Sequence, residues 1–218
     1  MNTDSLEQGR FHEEIGAWIR IARRSFGPGR PALLLDRDGV IIEDPGYLSR
    51  AADMVLIPEA AEVIASANRK GIPVIEITNQ AGIGRGYFGW QEFVETEDAL
   101  AHQLAQAGAT VDAVFACPYH REGIGRWMHP AHPARKPRPG MLLAAGKLLD
   151  LDLKRSWIVG DKMGDLQAGY DAGLQGGLHV LTGHGHEHRP SVLEWRPGKF
   201  ELCLGQSIRE AIPLLELL

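Results

Sequence analysis

The feature that most constrains this chain is an apolar run that ends directly in two carboxylates. Residues 32–35 are all apolar, and Asp36 and Asp38 follow them. An apolar run without polar alternation is typical of a strand in a parallel sheet that is covered on both faces. Such sheets bind ligands at the carboxyl ends of their strands, and two close carboxylates favour a hard cation such as Mg²⁺. A solvated turn, in which Asp and Gly are common, is the alternative interpretation.

Two further apolar runs end in the same way. Residues 72–77 end at Thr78 and Asn79, and residues 156–160 end at Asp161. Between these runs, a basic and proline-rich segment at residues 135–140 precedes a helix-like stretch. A hydroxyl, an amine and several carboxylates at one edge of a sheet supply what phosphoryl transfer requires: a nucleophile, a metal site and donors for phosphoryl oxygens.

Four short segments occur in an informative order: DRDGV at 36–40, TNQ at 78–80, RKP at 135–137 and GDKMGD at 160–165. They resemble the motifs of the haloacid-dehalogenase (HAD) phosphatases, in the branch of heptose-bisphosphate and histidinol phosphatases. The resemblance covers roughly residues 30–182. It implies an α/β fold with a doubly wound, Rossmann-like parallel sheet, helices on both faces and no large cap domain.

The resemblance also implies catalytic roles. Asp36 would attack phosphorus and form an aspartyl-phosphate. Asp38 would protonate the departing sugar oxygen and later deprotonate the attacking water. Thr78 and the backbone at Asn79 would donate to phosphoryl oxygens, while Lys136 would balance their charge.

The implied cofactor is Mg²⁺. Its ligands would be the carboxylates of Asp36 and Asp161 and the backbone carbonyl of Asp38. Lys162 would line the site, with an exposed lysine as the alternative. Asp165 would orient Lys136 or a metal-bound water.

The implied substrate is a small sugar phosphate. Glu43 and Tyr47 lie in the segment that, in the resembled family, covers the site. Arg85, Arg135 and Arg138 would bind a second anionic group, because guanidinium groups match phosphate geometry; a structural guanidinium is the alternative for Arg135. We therefore expect hydrolysis of the 7-phosphate of D-glycero-D-manno-heptose 1,7-bisphosphate. Histidinol phosphate is the alternative substrate, and its amine would favour acidic surroundings.

A non-catalytic phosphosugar-binding or receiver-like protein is a different class of hypothesis. A receiver also uses a strand-end aspartate, a hydroxyl and a lysine. It does not place a second aspartate two residues later, so Asp38 favours an enzyme. A net charge of −5 and the lack of a basic stripe argue against a nucleic-acid partner.

One segment departs from the resembled branch, which typically carries a zinc loop reading Cys-x-His, a spacer, then Cys-x-Cys before Arg-Lys-Pro. Here Cys117 is retained, but Tyr119, His132 and Ala134 occupy the other ligand positions. Structural zinc requires four N or S ligands, so we favour a metal-free loop that is held by packing. A shifted zinc set remains an alternative, and it comprises Cys117, His120, His129 and His132.

The domain organisation is predicted as an N-terminal helical extension at 1–29 and a phosphatase domain at 30–218, with an inserted loop at 117–134. We further predict helices at 58–70, 91–106, 141–149, 166–172 and 207–217, and later strands at 111–116, 177–182 and 200–203. The histidine-rich run at 184–188 is expected on a loop, where solvated histidines are more common than a metal site.

The remaining composition indicates an ordinary globular chain. Of its 218 residues, 44% are hydrophobic and 23% are charged. The two cysteines fall in different predicted elements, so no disulfide framework is implied. No apolar run reaches membrane-spanning length, and the polar N-terminus is not a secretory signal, so we expect a cytoplasmic enzyme without a membrane partner. We also expect a monomer.

Overall fold

The computed structural model describes residues 9–23 and 26–218. Within these residues, the strands are β1 Arg10–His12, β2 Ala17–Ile21, β3 Leu33–Leu35, β4 Val74–Asn79, β5 Ala113–Cys117, β6 Trp157–Gly160, β7 Gly176–His179 and β8 Glu201–Leu204. They form one sheet in the order β1-β2-β5-β4-β3-β6-β7-β8. The strands β3 to β8 are mutually parallel, whereas β1 and β2 are antiparallel to their neighbours.

The α-helices of the same residues are α1 Ala60–Arg69, α2 Ala81–Gly84, α3 Trp90–Gln106, α4 Gly140–Leu149, α5 Met163–Asp171 and α6 Gly185–Glu194. Short 3₁₀ helices lie at Ala51–Asp53, Gly125–Trp127, Leu153–Arg155, Ile208–Ala211 and Pro213–Glu216. In none of the helices of the described part are the length and the apolar character sufficient to cross a bilayer.

The sequence of the central strand β3 is continuously apolar because both faces of the strand are buried. Leu33 and Leu35 pack into one core with residues of α1, and Leu34 packs into the opposite core with residues of α4. All three leucines are fully buried, because successive side chains of a strand point to opposite faces and both faces are covered. The predicted doubly wound sheet with helices on both faces is confirmed.

The position of β3 also determines where ligands bind. Its neighbours are β4 on one side and β6 on the other, so the strand order reverses at β3. Leu35 pairs in register with Glu76 of β4 and Val159 of β6. The carboxyl ends of the three strands therefore meet at a topological switch point, which is where open α/β sheets form a binding crevice.

The predicted N-terminal helix is wrong over residues 9–23. This segment forms the hairpin β1–β2, and β2 pairs antiparallel with β5 at the edge of the sheet. Gly16 takes φ +75° in the turn, and Trp18, Ile19 and Ile21 become buried. Without β2, the N–H and C=O groups at the edge of β5 would be left unpaired. Antiparallel pairing with β2 gives them hydrogen-bond partners, which a helix at this position would not provide. Residues 1–8 and 24–25 of the predicted extension lie outside the described residues.

Two other local predictions are wrong. The helix expected at 207–217 is divided into two short 3₁₀ helices, the second of which begins at Pro213. The histidine-rich run is not on a loop, because His184 immediately precedes α6 and the other histidines lie within it. The helices predicted at 58–70, 91–106, 141–149 and 166–172 are confirmed to within a few residues.

Candidate active site

A buried lysine lies at the centre of the strand ends. Lys136 Nζ is 2.9 Å from Asp36 Oδ1 and 2.6 Å from Asp165 Oδ1. It also donates to the carbonyl oxygen of Ile77 at 2.6 Å, so each of its three hydrogens has an acceptor. Burial by itself lowers the pKa of Lys136, but the carboxylates of Asp165 and Asp36 raise it above its ordinary value. The lysine is therefore a fixed positive charge.

Three carboxylates surround this charge. Ligand atoms of Asp36, Asp161 and Asp165 all lie within 4.8 Å of one another. Burial, followed by the charge of Asp36, raises the pKa of Asp161 to about 8. Asp161 Oδ2 accepts from the backbone N–H of His184 at 2.7 Å, whereas Asp161 Oδ1 is buried without a hydrogen-bond partner. An unpartnered carboxylate oxygen among like charges fits a divalent cation with oxygen ligands.

Asp165 differs from the other two carboxylates. Its Oδ1 pairs with Lys136, and its Oδ2 accepts from the backbone N–H of Lys162 at 3.0 Å. Both oxygens are therefore engaged in fixing the lysine and the start of α5. This leaves Asp36 and Asp161 as the carboxylates best suited to hold a metal.

Asp38 lies beside this cluster, with both oxygens accepting hydrogen bonds. Arg37 donates from Nε to Oδ1 at 3.0 Å and from Nη2 to Oδ2 at 3.1 Å. Gln80 Nε2 donates to Asp38 Oδ2 and to Thr78 Oγ1, both at 2.9 Å. Burial raises the pKa of Asp38, as do Asp36 and Asp44, while Arg37 opposes the increase. A raised pKa suits a carboxyl group that must donate a proton near neutral pH.

Two adjoining cavities, of about 330 and 220 Å³, open above these groups. Their shared lining consists of Asp38, Asn79, Arg135 and Lys162. The smaller cavity reaches Asp36 and Lys136, and the larger one extends to Tyr47 and His184. The smaller cavity would thus hold a phosphoryl group, and the adjoining larger cavity would hold the rest of the substrate.

Comparison with known proteins agrees with this geometry. Residues 133–199 match the family model described as HAD-hydrolase-like. A D-glycero-beta-D-manno-heptose-1,7-bisphosphate 7-phosphatase of Mesorhizobium japonicum is 54% identical over 168 residues, which cover 77% of each chain. The corresponding alpha-anomer enzyme of Burkholderia mallei is 46% identical over 144 residues, covering 66% of this chain and 76% of that one.

The chain belongs to the heptose-bisphosphate phosphatase family of HAD hydrolases. A solved D,D-heptose 1,7-bisphosphate phosphatase of B. bronchiseptica, in complex with magnesium and phosphate, has a similar fold. Its TM-score is 0.73 at 29% identity, and the match covers 85% of this chain and 98% of that one. The predicted family and the predicted enzyme class, a phosphatase, are confirmed.

The structure brings most predicted residues of the phosphatase site together, and Asn79 gains an additional contact. Its side-chain amide donates to the carbonyl of Lys136 at 3.0 Å, and its Oδ1 accepts from the Lys136 N–H at 3.1 Å. The side chain thus ties the end of β4 to the segment that carries the lysine. Arg135 lines both cavities and donates to the Tyr119 carbonyl at 3.0 Å.

Three predicted substrate-binding residues lie further out. Glu43 is exposed and does not line either cavity, and Asp44 takes its place, accepting from Lys162 Nζ at 3.1 Å. Arg85 lines neither cavity; it donates to the hydroxyl of Tyr47, which lines the larger one, at 2.7 Å and pairs with Glu122. Arg138 lines a separate outer cavity beside Arg135.

The residues of the shifted zinc set do not converge. In the described residues, three or more metal-ligating side chains lie close together at Asp36, Asp161 and Asp165, and no such group lies at 117–134. Cys117 is buried at the end of β5, where burial raises the pKa of its thiol to about 12. Tyr119 stacks on His132 with ring centroids 3.7 Å apart, and the His129 ring lies 5.0 Å from that of His132.

Sequence reasoning missed four residues of the site. Arg37 and Gln80 lie within the quoted motifs, so their positions were visible although their roles were not. Asp44 gave no local signal, and the histidine run that contains His184 was interpreted as solvated. The two residues meet across 140 residues of chain, with His184 Nε2 3.2 Å from Asp44 Oδ2. Such a contact arises only when the loops after β3 and β7 are folded against each other.

Proposed function

We propose that this phosphatase uses Mg²⁺ to remove the 7-phosphate of D-glycero-D-manno-heptose 1,7-bisphosphate. The observation that carries the proposal is the grouping of Asp36, Lys136 and Asp161, with Asp36, Lys136 and the neighbouring Asp38 lining the smaller cavity. Asp36 and Asp161 would hold the ion together with the Asp38 carbonyl, and the ion would supply positive charge that offsets phosphate repulsion.

In the first step, a carboxylate oxygen of Asp36 attacks phosphorus and the bond from phosphorus to the sugar oxygen breaks. Asp38 transfers its proton to that oxygen, so the sugar leaves as a neutral alcohol. Lys136 stabilises the charge on the phosphoryl oxygens from its fixed position. Thr78 Oγ1 accepts from Gln80, and its hydroxyl hydrogen would donate to the same oxygens.

In the second step, the Asp38 carboxylate accepts a proton from water as the water attacks the aspartyl-phosphate. The bond from phosphorus to Asp36 then breaks, which releases inorganic phosphate and restores both carboxyl groups. Asp38 thus acts as acid and then as base, which requires a carboxyl group held in one place and partly open to the cavity. Its side chain is 19% exposed.

The lining of the larger cavity supports a bisphosphate rather than an amine. Arg135 and Lys162 contribute positive charge, while Asp44 is already paired with Lys162 and His184. A second phosphate would find a guanidinium at Arg135. Both carboxylates of this lining are already paired, Asp38 with Arg37 and Asp44 with Lys162, so they are less available to the amine of histidinol phosphate. The beta anomer is the preferred form of the proposal, since the relative named for it is more similar.

We also propose that the 117–134 loop is held by packing instead of zinc. The stacked pair Tyr119 and His132 occupies two of the positions at which the resembled family places ligands. The Nδ1 atoms of His129 and His132 accept from the backbone N–H groups of Ala131 and Ala134, at 3.1 Å each. Hydrogen bonds and aromatic contact therefore fix the same turns that a metal would otherwise fix.

The test is steady-state turnover with Mg²⁺ on both heptose bisphosphate anomers and on histidinol phosphate. We expect kcat/KM on the beta anomer to exceed that on histidinol phosphate by at least about 100-fold, as a site built for a second polar group discriminates strongly. The Asp36→Asn variant controls for contaminating phosphatases. Equal or better turnover of histidinol phosphate would contradict the proposal.

A further inference from the structure

A buried chain of charged side chains extends from Asp38 to helix α3. Arg37 Nη1 donates to Glu97 Oε1 at 2.9 Å, and Glu97 lies on α3, sixty residues along the chain. The Arg37 and Glu97 side chains are only 2% and 1% exposed. An ion pair this deeply buried is costly to desolvate, so its presence next to the site calls for a reason beyond stability.

Contacts with Asp38, Glu97 and Phe93 fix the orientation of the Arg37 guanidinium. Its Nε and Nη2 are directed at Asp38 and its Nη1 at Glu97. Phe93, also on α3, lies against the face of the group, with 5.4 Å between Cζ and the ring centroid. Glu97 and Phe93 therefore determine where the fork of donors meets the Asp38 carboxyl group.

A second buried acid clarifies the charge balance. Glu76 is fully buried, and neither of its carboxylate oxygens has a hydrogen-bond partner. Burial raises the pKa of Glu76 well above its ordinary value, and burial also raises the pKa of Glu97, an effect that Arg37 and Arg20 oppose. Glu97 Oε1 accepts from Arg37 Nη1, and Arg20 lies 3.8 Å from its Oε2. Glu97 thus anchors the nitrogen of the guanidinium that does not donate to Asp38.

We propose that Glu97 and Arg37 are positioning residues that hold Asp38 in the orientation from which it protonates the departing sugar oxygen. This inference rests on the proposed function, because it presupposes the acid role of Asp38. Glu97 acts through Arg37 and does not touch the substrate cavities. Its neutralisation weakens one anchor of the guanidinium, so the fork of donors no longer holds the Asp38 carboxyl group in a single orientation.

The test uses two substrates that differ in their need for a proton. The sugar alkoxide is a poor leaving group and needs a proton from Asp38 in the first step, whereas the phenolate of p-nitrophenyl phosphate leaves without one; the second step is common to both substrates. We expect Glu97→Gln to lower kcat/KM, which reports on formation of the phosphoenzyme, by about 10- to 100-fold for the heptose bisphosphate and by less than about threefold for p-nitrophenyl phosphate. The control is Glu95→Gln, which removes an exposed charge from the same helix.

Arg37→Lys provides a second variant that keeps the charge but loses the fork, and it should show the same substrate-dependent loss. Circular dichroism and thermal melting establish that each variant is folded. Glu97→Gln should add little further loss in an Asp38→Ala background, because the two residues act in one step. Equal losses on both substrates, or no loss on either, would overturn the inference. Wild-type protein without phosphatase activity on either substrate would instead refute the proposed function.

Discussion

The carboxyl ends of β3, β4 and β6, here called the carboxylate edge, lie beside the 117–134 loop. The two regions are stabilised by different kinds of interaction. At the edge, Lys136 pairs with Asp36 and Asp165 in a buried cluster of opposite charges. In the loop, Tyr119 and His132 stack, and Phe11 of the N-terminal hairpin meets Trp127 with ring centroids 5.0 Å apart. The edge is built from charges at fixed positions, and the loop from aromatic contact.

The difference indicates which parts of such an enzyme need particular residue types and which parts can be held in shape in more than one way. The reaction requires a nucleophile, a proton donor and charge neutralisation at defined points, so the residue types at the edge match the motifs. The loop only needs to be held in shape, and packing can do this as well as a metal. The hairpin contributes directly, since a Cβ at Gly16 would collide with the His132 ring. A glycine at that position lets the hairpin approach the loop.

The largest expected effect is at the edge. Asp36→Asn should lower kcat by at least about a thousandfold, because the amide cannot act as the nucleophile. The fold should survive, since the substitution also relieves repulsion among three carboxylates. Steady-state assays with circular dichroism as the folding control would check this. Retention of more than a few per cent of activity would exclude covalent catalysis at Asp36.

The next effect concerns Asp38. We expect Asp38→Ala to slow turnover by about 10²- to 10⁴-fold, since both leaving-group departure and hydrolysis of the intermediate lose their proton-transfer partner. Rapid-quench experiments with labelled substrate would detect accumulated phosphoenzyme where the second step is slowed more. Unchanged rates would show that Asp38 is neither the general acid nor the general base.

The third effect is a pH dependence of the metal-free protein. The pKa of Asp161 is about 8 in the folded state, against 3.8 for an ordinary aspartate. Between these values the folded state binds the extra proton, so the free energy of unfolding decreases as pH rises from about 4 to about 8. A shift of this size corresponds to about 5–6 kcal/mol, so we expect Tm to fall by roughly 10 °C or more across this window from this group.

Two comparisons isolate that contribution. Asp161→Asn should remove this part of the slope, because it no longer titrates. Added Mg²⁺ should raise Tm most at the upper end of the window in wild type, and much less in the variant, because an ionised Asp161 binds the cation. A wild-type slope identical to that of Asp161→Asn would contradict the assignment.

A smaller effect is expected in the loop. Tyr119→Ala should reduce the free energy of unfolding by about 1–2 kcal/mol through loss of the stacked pair, while kcat stays within about twofold. Tyr119→Phe is the matched control, since it keeps the ring that stacks on His132. Chemical denaturation of both variants provides the measurement. An equal loss in the two variants would show that the hydroxyl, and not the ring, supports the loop.

The smallest expected signal is the zinc content of the wild-type protein. Protein purified without added zinc should contain well below one zinc per chain by elemental analysis. The triple variant Tyr119→His, His132→Cys, Ala134→Cys should gain stoichiometric zinc, because it supplies three ligands in addition to Cys117. Stoichiometric zinc in the wild type, lost in His129→Ala or His132→Ala, would contradict a loop held by packing alone.

The sequence by itself determined the central architecture and the chemistry of the edge. Continuous apolar runs such as Leu33–Leu35 are typical of strands buried on both faces, and the carboxyl ends of parallel strands meet at one edge of their sheet. The catalytic candidates Asp36, Thr78 and Asp161 follow these runs directly, so local order along the chain was enough to place them together.

Only the tertiary structure decided the features that depend on long-range contact. The N-terminal segment has a pattern compatible with a helix, yet it became a hairpin because the edge of β5 was open to pairing. Glu97 reads as one acid among several on α3, and its burial against Arg37 depends on how that helix packs. Hydrophobic periodicity reports which face of an element is buried, but it carries no information about which distant element covers that face.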